Sequence, residues 1–304
     1  MHTSDKNKIL NISRHEYEDL IKLDNVNGVG LGYKHVKFKN TGELALHVLV
    51  NKKVDKSILS SKHLIPKNYM NMQTDVLEIG TVSPQSLTSK IRPLFGGYGI
   101  SPIDCNSTGT LGCIVYKKTN QGIEYFGLSS SHIFANENLI TLGTPVIQPS
   151  FTDSGKISTD TIGVLSQFVE IKFDSTPNIV DCAIFKIKDS SIVSSKIALI
   201  GVPTGIANPK LNSIVQKIGR TTELLNGKIL TIGATIKISY GNNRNAIFTN
   251  QILSQAISSP GDSGSLVLDS AKRVVGLLFA GSNHVTVFNN INAVLSSLNI
   301  SLLI

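Results

Sequence analysis

The stretch Ser258-Ser259-Pro260-Gly261-Asp262-Ser263-Gly264-Ser265 sets one hydroxyl between two glycines and directly after a carboxylate. Glycines on both sides let the backbone turn tightly, and the amides of such a turn can converge on one developing negative charge. A serine hydroxyl is inert near neutral pH until a base takes its proton, and that base needs a third group to fix its tautomer. Of the seven histidines, His2 and His15 lie near the start, His35, His47 and His63 in an N-terminal portion of different character, and His284 after the last strand-like run. His132 stands apart: it follows the apolar Tyr125-Phe126-Gly127-Leu128 and three small residues, Ser129-Ser130-Ser131, which leave it room in a crowded cleft. Asp181 heads the apolar run Asp181-Cys182-Ala183-Ile184-Phe185, where it is drawn toward the interior and needs a partner. Taken singly these are a loop serine, a cleft-lining ring and a strand cap. In the order His132, Asp181, Ser263 they have the types required for nucleophilic catalysis.

The elements that would position them are mostly strands. After Ser263 come Leu266-Val267-Leu268, a turn over Asp269 to Arg273, and Val274 to Phe279, so the serine loop is anchored on a hairpin. Short apolar runs with turn signals between them recur at 112–116, 125–128, 144–147, 162–173 and 181–187, and again at 214–218, 228–238, 246–253, 265–268 and 274–279. Two groups of such strands without intervening helices predict two antiparallel sandwiches or barrels. Residues 290–298, with Ile291, Val294, Leu295 and Leu298 at helical spacing, predict a closing helix.

The N-terminal portion differs. Ser13 with Glu16 three residues on predicts a helix over 13–23, strands follow at 26–34 and 43–51, a short helix at 53–62 and a strand at 75–80. This reads as an α+β accessory domain over 1–84, in which His47 is a strand residue without a chemical role. Residues 85–107, crowded with proline and glycine, read as a linker, and 108–304 as the catalytic body.

Composition limits the alternatives. With 304 residues, 41% hydrophobic and 16% charged, and 25 glycines among many Val, Ile and Thr, the chain has ample material for β-rich cores. The formal net charge of +8 invites a nucleic-acid partner, but the basic residues come singly or in pairs without an aromatic platform, which reads as solvated surface. No run approaches the roughly 18 apolar residues of a membrane span, and no apolar leader is evident, so the expectation is a cytoplasmic protein with neither membrane nor nucleic-acid contact. Cys105, Cys113 and Cys182 match no zinc spacing and read as small buried hydrophobes in a reducing compartment; a Cys105–Cys113 loop is the oxidising alternative.

The motifs together resemble the trypsin/chymotrypsin superfamily of serine endopeptidases. Ser130-Ser131-His132-Ile133 is similar to its histidine segment, Asp181-Cys182-Ala183-Ile184 to its acid segment, Gly261-Asp262-Ser263-Gly264 to its nucleophile loop, and Val275 to Gly281 to its substrate-binding strand. Gly219-Arg220-Thr221-Thr222 resembles a stretch of bacterial members such as the streptogrisins, and Gly143 to Pro149 a segment of intracellular bacterial and plant relatives; the likeness spans about residues 95–304. It implies a mainly β fold of two antiparallel six-stranded β-barrels with a C-terminal helix, here preceded by a small α+β domain. It further implies Ser263 as nucleophile, His132 as general base and acid, Asp181 as orienting acid, and an oxyanion hole from the amides of Gly261 and Ser263. The substrate pocket would have Ile257 and Ser258 at its base and Phe279, Ala280 and Gly281 in its walls; none is charged, so small or apolar residues are expected before the cut. The implied partner is a protein or peptide substrate, without metal or organic cofactor, and residues 1–84 would serve as a folding aid or inhibitor, or as a docking surface for a partner or a second copy. Arg220 would pair with Asp262, the carboxylate beside the nucleophile.

Three departures stand out: Ser265 replaces a glycine, the disulfides of secreted members are absent, and Glu223 follows Thr-Thr where glycine is frequent. The alternative in kind is a silent trypsin-like fold acting as a binding scaffold. An esterase on an α/β sheet fails, because Gly-x-Ser-x-Gly is not met and the triad order differs.

Overall fold

The computed structural model describes residues 2–36, 39–55, 57–59, 63–80, 82, 86–103, 107–241 and 244–304. Two compact units divide the chain, Met1–Gln85 and Ser86–Ile304.

In the first unit, helices α1 (His2–His15) and α2 (Glu18–Ile21) precede strands β1 (Val26–Val36), β2 (Lys39–Val50), β3 (Asn68–Tyr69) and β4 (Met72–Glu78). These form one sheet in the order β1-β2-β4-β3, with β2 and β4 parallel. Period-two alternation places Leu46 and Val48 on the face covered by Ile9, Ile12 and Leu20. The helix expected over 13–23 is therefore displaced: Ile9 and Ile12 are its buried stripe, and Ser13 lies inside it, its hydroxyl donating to Leu10 O at 3.1 Å rather than capping. The helix expected over 53–62 is also corrected, since the described residues there form turns or irregular backbone.

The second unit opens with β5 (Gly99–Pro102), β6 (Gly109–Thr110), β7 (Cys113–Thr119), β8 (Gly122–Ser129), the one-turn helix α3 (Ser131–Phe134), β9 (Pro145–Ile147), the one-turn helix α4 (Ile157–Asp160), β10 (Thr161–Phe168) and β11 (Ala183–Ile187). It continues with β12 (Gly205–Ile206), β13 (Ile214–Gly219), β14 (Glu223–Ser239), β15 (Asn245–Gln255), β16 (Leu266–Asp269), β17 (Arg273–Gly281), β18 (Val285–Asn290), helix α5 (Ile291–Leu298) and β19 (Ser301–Leu302). The first sheet runs β19-β7-β8-β11-β10-β9-β5-β6 and the second β12-β17-β16-β13-β14-β15-β18; a β17–β18 pairing closes β13 to β18 on themselves. The architecture is mainly β, with two barrel-like sheets and a short C-terminal helix. Strand β18 extends the structure beyond the last strand expected from sequence.

Segment 85–107 is not a linker in its described part. Leu87, Leu94 and Ile100 are buried, and β5 pairs with both β6 and β9, so proline and glycine here shape a barrel wall. Among the cysteines, Cys113 and Cys182 are free and buried, while Cys105 lies outside the described residues.

Alternation along single strands separates the cores. Cys113, Val115, Cys182 and Ile184 face one way, onto Leu266, Leu268, Leu277 and the α5 residues Ile291, Val294 and Leu298. Ile114, Ala183 and Phe185 face the other way and fill the first sheet, while Val267, Val275 and Leu278 fill the second. Strands buried on both faces read as continuous apolar runs, and each large side chain so buried contributes about 1.5–3 kcal/mol. The central layer is the floor on which the site is built.

Candidate active site

His132 sits in α3, directly after β8, preceded by Ser129, Ser130 and Ser131, all fully buried. Two of the serines are anchored: Ser129 Oγ donates to Thr110 O at 2.8 Å and Ser131 Oγ to Val169 O at 3.0 Å. Asp181 lies just before β11 and is fully buried. Its Oδ2 is 2.7 Å from His132 Nδ1, and its Oδ1 accepts from the His132 backbone N–H at 3.0 Å, so one carboxylate holds both the ring and the main chain of the histidine.

Sequence reasoning missed two residues that hold Asp181 from the second sheet. Asn289, buried on β18, accepts from Asp181 N–H at 3.0 Å and donates to Asp181 O at 3.1 Å. The Tyr240 hydroxyl, just past β14, donates to Asp181 Oδ2 at 3.3 Å, and its ring meets His132 edge-on at 6.2 Å between centroids. Burial beside Asp181 pushes the Tyr240 phenol far above its ordinary range, so it stays a donor. A signal was legible: Asn289 is polar at the end of an apolar run.

Ser263 lies in the turn before β16, within 3.5 Å of Phe279 O. Gly264 has φ +94°, and a Cβ there would stand 2.1 Å from Ser129 Oγ and 2.4 Å from Thr110 O. Only glycine allows the Ser263 turn to press this closely on the segment that carries His132. The loop is tied to β6 as well, Thr110 N–H donating to Ser263 O and Thr110 Oγ1 to Gly261 O, each at 2.8 Å. Asp262 N–H, Gly264 N–H and Ser265 N–H are committed to Ser259 O, Leu278 O and Asp262 O. Among the described residues no acceptor takes the amides of Gly261 and Ser263.

The expected Arg220–Asp262 pair is corrected. Arg220 grips Asp153, with Nε to Oδ2 at 3.0 Å and a second, shorter bond from Nη2 to Oδ1. Asp262 is paired instead with Lys217 of β13, Nζ to Oδ2 at 2.8 Å, both side chains fully buried. The Gly-Arg-Thr-Thr stretch still serves Asp262, through the amides of Thr221 (2.9 Å) and Thr222 (3.1 Å) and the Thr222 hydroxyl (2.5 Å). Lysine reaches from the floor of the loop, so the guanidinium is free to bridge toward the first sheet. Burial alone would push the Asp262 carboxyl up; Lys217 and the bonds from Thr222 and Ser259 outweigh it and hold the group below its ordinary value. Glu223, the departure after Thr-Thr, takes φ +52°, the region glycine favours, so the turn is kept at some backbone cost.

His132 and Ser263 line one cleft of about 750 Å³. Of the expected pocket residues, Ser258, Phe279, Ala280 and Gly281 border it. Ile257 does not; it is buried in the core of the second sheet, its N–H on Thr286 Oγ1 at 2.9 Å. The β14 residues Ile236 and Ile238 form a further apolar wall, which the sequence did not single out, and no carboxylate lines the cleft among the described residues.

No family model matches the chain, and no curated protein matches it. Solved structures do. Protease A of Thermobifida fusca is similar at 20% identity with a TM-score of 0.51, covering 69% of this chain and 97% of that one. A Nocardiopsis protease is similar at 17% identity with a TM-score of 0.50, covering 68% and 97%. A glutamic acid-specific serine protease matches at 15% identity and a TM-score of 0.50 over 69% of this chain and all of that one. At these identities the likeness establishes the fold: the chain has the chymotrypsin-like fold of serine proteases.

Proposed function

We propose that the chain is a serine endopeptidase of the trypsin/chymotrypsin type, with Ser263, His132 and Asp181 as its triad. The observation that carries this reading is the 2.7 Å bond between His132 Nδ1 and Asp181 Oδ2 in a cleft that Ser263 shares. Asp181 fixes the tautomer with Nδ1 protonated, which leaves Nε2 as the base. As Ser263 Oγ attacks the scissile carbonyl, its proton passes to Nε2; the imidazolium, stabilised by Asp181, then returns it to the leaving amine. Water repeats the sequence to release the acyl group. The uncommitted amides of Gly261 and Ser263 are the donors for the tetrahedral oxyanion. The Phe279 carbonyl that Ser263 Oγ faces at 3.5 Å is a weak partner, so little holds the hydroxyl away from the cleft it shares with His132.

The cleft favours small or apolar side chains before the cut, because a buried cation would find no carboxylate there. The first unit acts as a folding aid or inhibitor, or as a docking module for a protein partner or a second copy. Free, buried Cys113 and Cys182 suit a reducing, cytoplasmic setting; burial pushes the Cys113 thiol up to about 12. No described helix is long and apolar enough to cross a membrane.

The hydroxyl's orientation toward Phe279 favours one rival, a silent fold that binds peptides without cutting them. A fluorophosphonate probe separates the two. Labelling mapped to Ser263, lost in both Ser263→Ala and His132→Ala, is expected; an unlabelled yet folded protein that still binds peptides would leave only the scaffold.

A further inference from the structure

The first unit carries a cluster that plays no part in the peptidase reading: His35, His47 and Asp75 come from three different strands, yet their ligand atoms all lie within 4.8 Å of one another. His47 and Asp75 are register partners on the parallel pair β2 and β4. His35 arrives differently. A register shift between Tyr33 and His35 bends the end of β1, and His35 N–H donates to Asp75 Oδ2 at 2.8 Å. That oxygen is then 3.8 Å from His35 Nδ1 and 4.0 Å from His47 Nε2.

Several features are those of a built site rather than a chance meeting of polar groups. The His47 side chain is 13% exposed and lies over Gly32, where a Cβ would fall 2.2–2.5 Å from its ring atoms, so the strand leaves out a side chain in order to seat the imidazole. The Tyr33 carbonyl stands 2.9 Å from His47 Nε2, the same nitrogen that faces Asp75, so the proton it accepts there is the one that metal binding at Nε2 would release. Asp75 is 19% exposed and anchored by an amide, whereas His35 is 45% exposed, which leaves the cluster open to solvent on one side. The neighbouring cation Lys34 is engaged with Gln73 Oε1 at 2.7 Å.

We infer that His35, His47 and Asp75 form a binding site for a divalent transition-metal ion of the zinc class. Two imidazoles and one carboxylate are a borderline nitrogen and oxygen donor set, suited to zinc, cobalt or iron(II) and poorly suited to calcium or magnesium. With metal–ligand bonds of about 2.0–2.2 Å, a tetrahedron has edges of roughly 3.4 Å, so ligand atoms that lie within 4.8 Å of one another close by at most about 1.4 Å, shared between two side chains. Three protein ligands leave a fourth position for water or for a donor from another molecule. The ion would join the end of β1 to β4 across β2 and clamp the hairpin that β1 and β2 form. Sequence spacing hides the site, because the ligands sit 12 and 28 positions apart, as the numbering shows. Strand register brings them together.

The test uses the full chain and Co²⁺ as the probe, since its visible absorption reports low-coordinate nitrogen and oxygen ligation without reference to activity. One Co²⁺ per chain, displaced by Zn²⁺, is expected. His35→Ala, His47→Ala and the isosteric Asp75→Asn should each weaken binding by at least about tenfold, no less than the loss of a supporting group costs. His132→Ala should bind as the parent does, which keeps this outcome separate from the fate of the peptidase reading. Far-UV circular dichroism of each variant checks folding, and Asp75→Asn, which keeps the backbone bond from His35, guards against a merely misfolded His47→Ala. Absence of Co²⁺ and Zn²⁺ binding at micromolar concentration, or binding that disappears in His132→Ala and survives in His47→Ala and Asp75→Asn, overturns the inference.

Discussion

Asp181 and Asp262 are both fully buried carboxylates within the same unit, and they are held in opposite ways. Asp181 accepts from the His132 amide, the His132 ring and the Tyr240 hydroxyl, all neutral while the imidazole is neutral. Asp262 accepts from amides and a hydroxyl too, but it also has the Lys217 ammonium at 2.8 Å. On the proposed triad, a cation beside Asp181 would spend in the resting protein the charge that is to stabilise an imidazolium. Asp262 has no such later task; its charge serves to fix a loop, and full pairing suits it. The difference separates an acid kept available from an acid locked in place.

The comparison can be broken at either end. Asp181→Asn is expected to fold and to lose about 10⁴ in kcat, because the amide favours the wrong ring tautomer; peptidase assays check it, and near-normal turnover would show that another acid orients His132. Lys217→Met comes next. It strands Asp262 without its cation, at about 3–5 kcal/mol, and loosens the amides of Gly261 and Ser263, for a rate loss of about 10²–10³. Its acid behaviour has a definite sign. With the folded value lowered below 3.8, the stability Asp262 supplies is present above that ordinary value and is lost as pH falls through the lowered one. In Lys217→Met the carboxyl is buried without a cation and titrates higher, so the acid unfolding midpoint, followed by circular dichroism, should move to higher pH.

Tyr240→Phe removes one neutral donor from Asp181 and should cost about 0.5–1.5 kcal/mol, no more than roughly tenfold in kcat. Arg220→Ala sharpens the contrast from the other side. It loses the charge-assisted bonds to Asp153, about 1.5–3 kcal/mol of stability by thermal denaturation, while kcat should change only slightly because Asp262 keeps Lys217. The smallest effect is a gain: Glu223→Gly relieves a left-handed residue and should add about 0.5–1 kcal/mol.

What could be read from the sequence follows from how local each signal is. The strand runs of the second unit, the α5 helix with its stripe of Ile291, Val294, Leu295 and Leu298, and the segments carrying His132, Asp181 and Ser263 each announce themselves within a few residues. Pairings between distant residues do not. Lys217 and Arg220 are three positions apart and both basic; which one reaches Asp262 depends on the inward face of β13, decided by packing. Asn289 and Tyr240 reach Asp181 across two sheets, and Ile257, expected at the pocket, turns into the core instead. The α1 boundaries were misplaced for a related reason: a stripe of two isoleucines is a weak periodic signal until the sheet beneath it is known.

Strand β19 gives the second unit a definite path for mechanical load. Its residues Ser301 and Leu302 zip antiparallel onto Tyr116 and Val115 of β7, after a helix that packs on the layer between the sheets. Tension applied beyond Leu302 and across the direction of β7 meets these few bonds one at a time rather than together, so the strand peels and α5 follows. The next element drawn on is β18, which carries Asn289, the residue that holds the Asp181 backbone. Pulled from that end, the chain would lose the alignment of His132 while most of both barrels still stood.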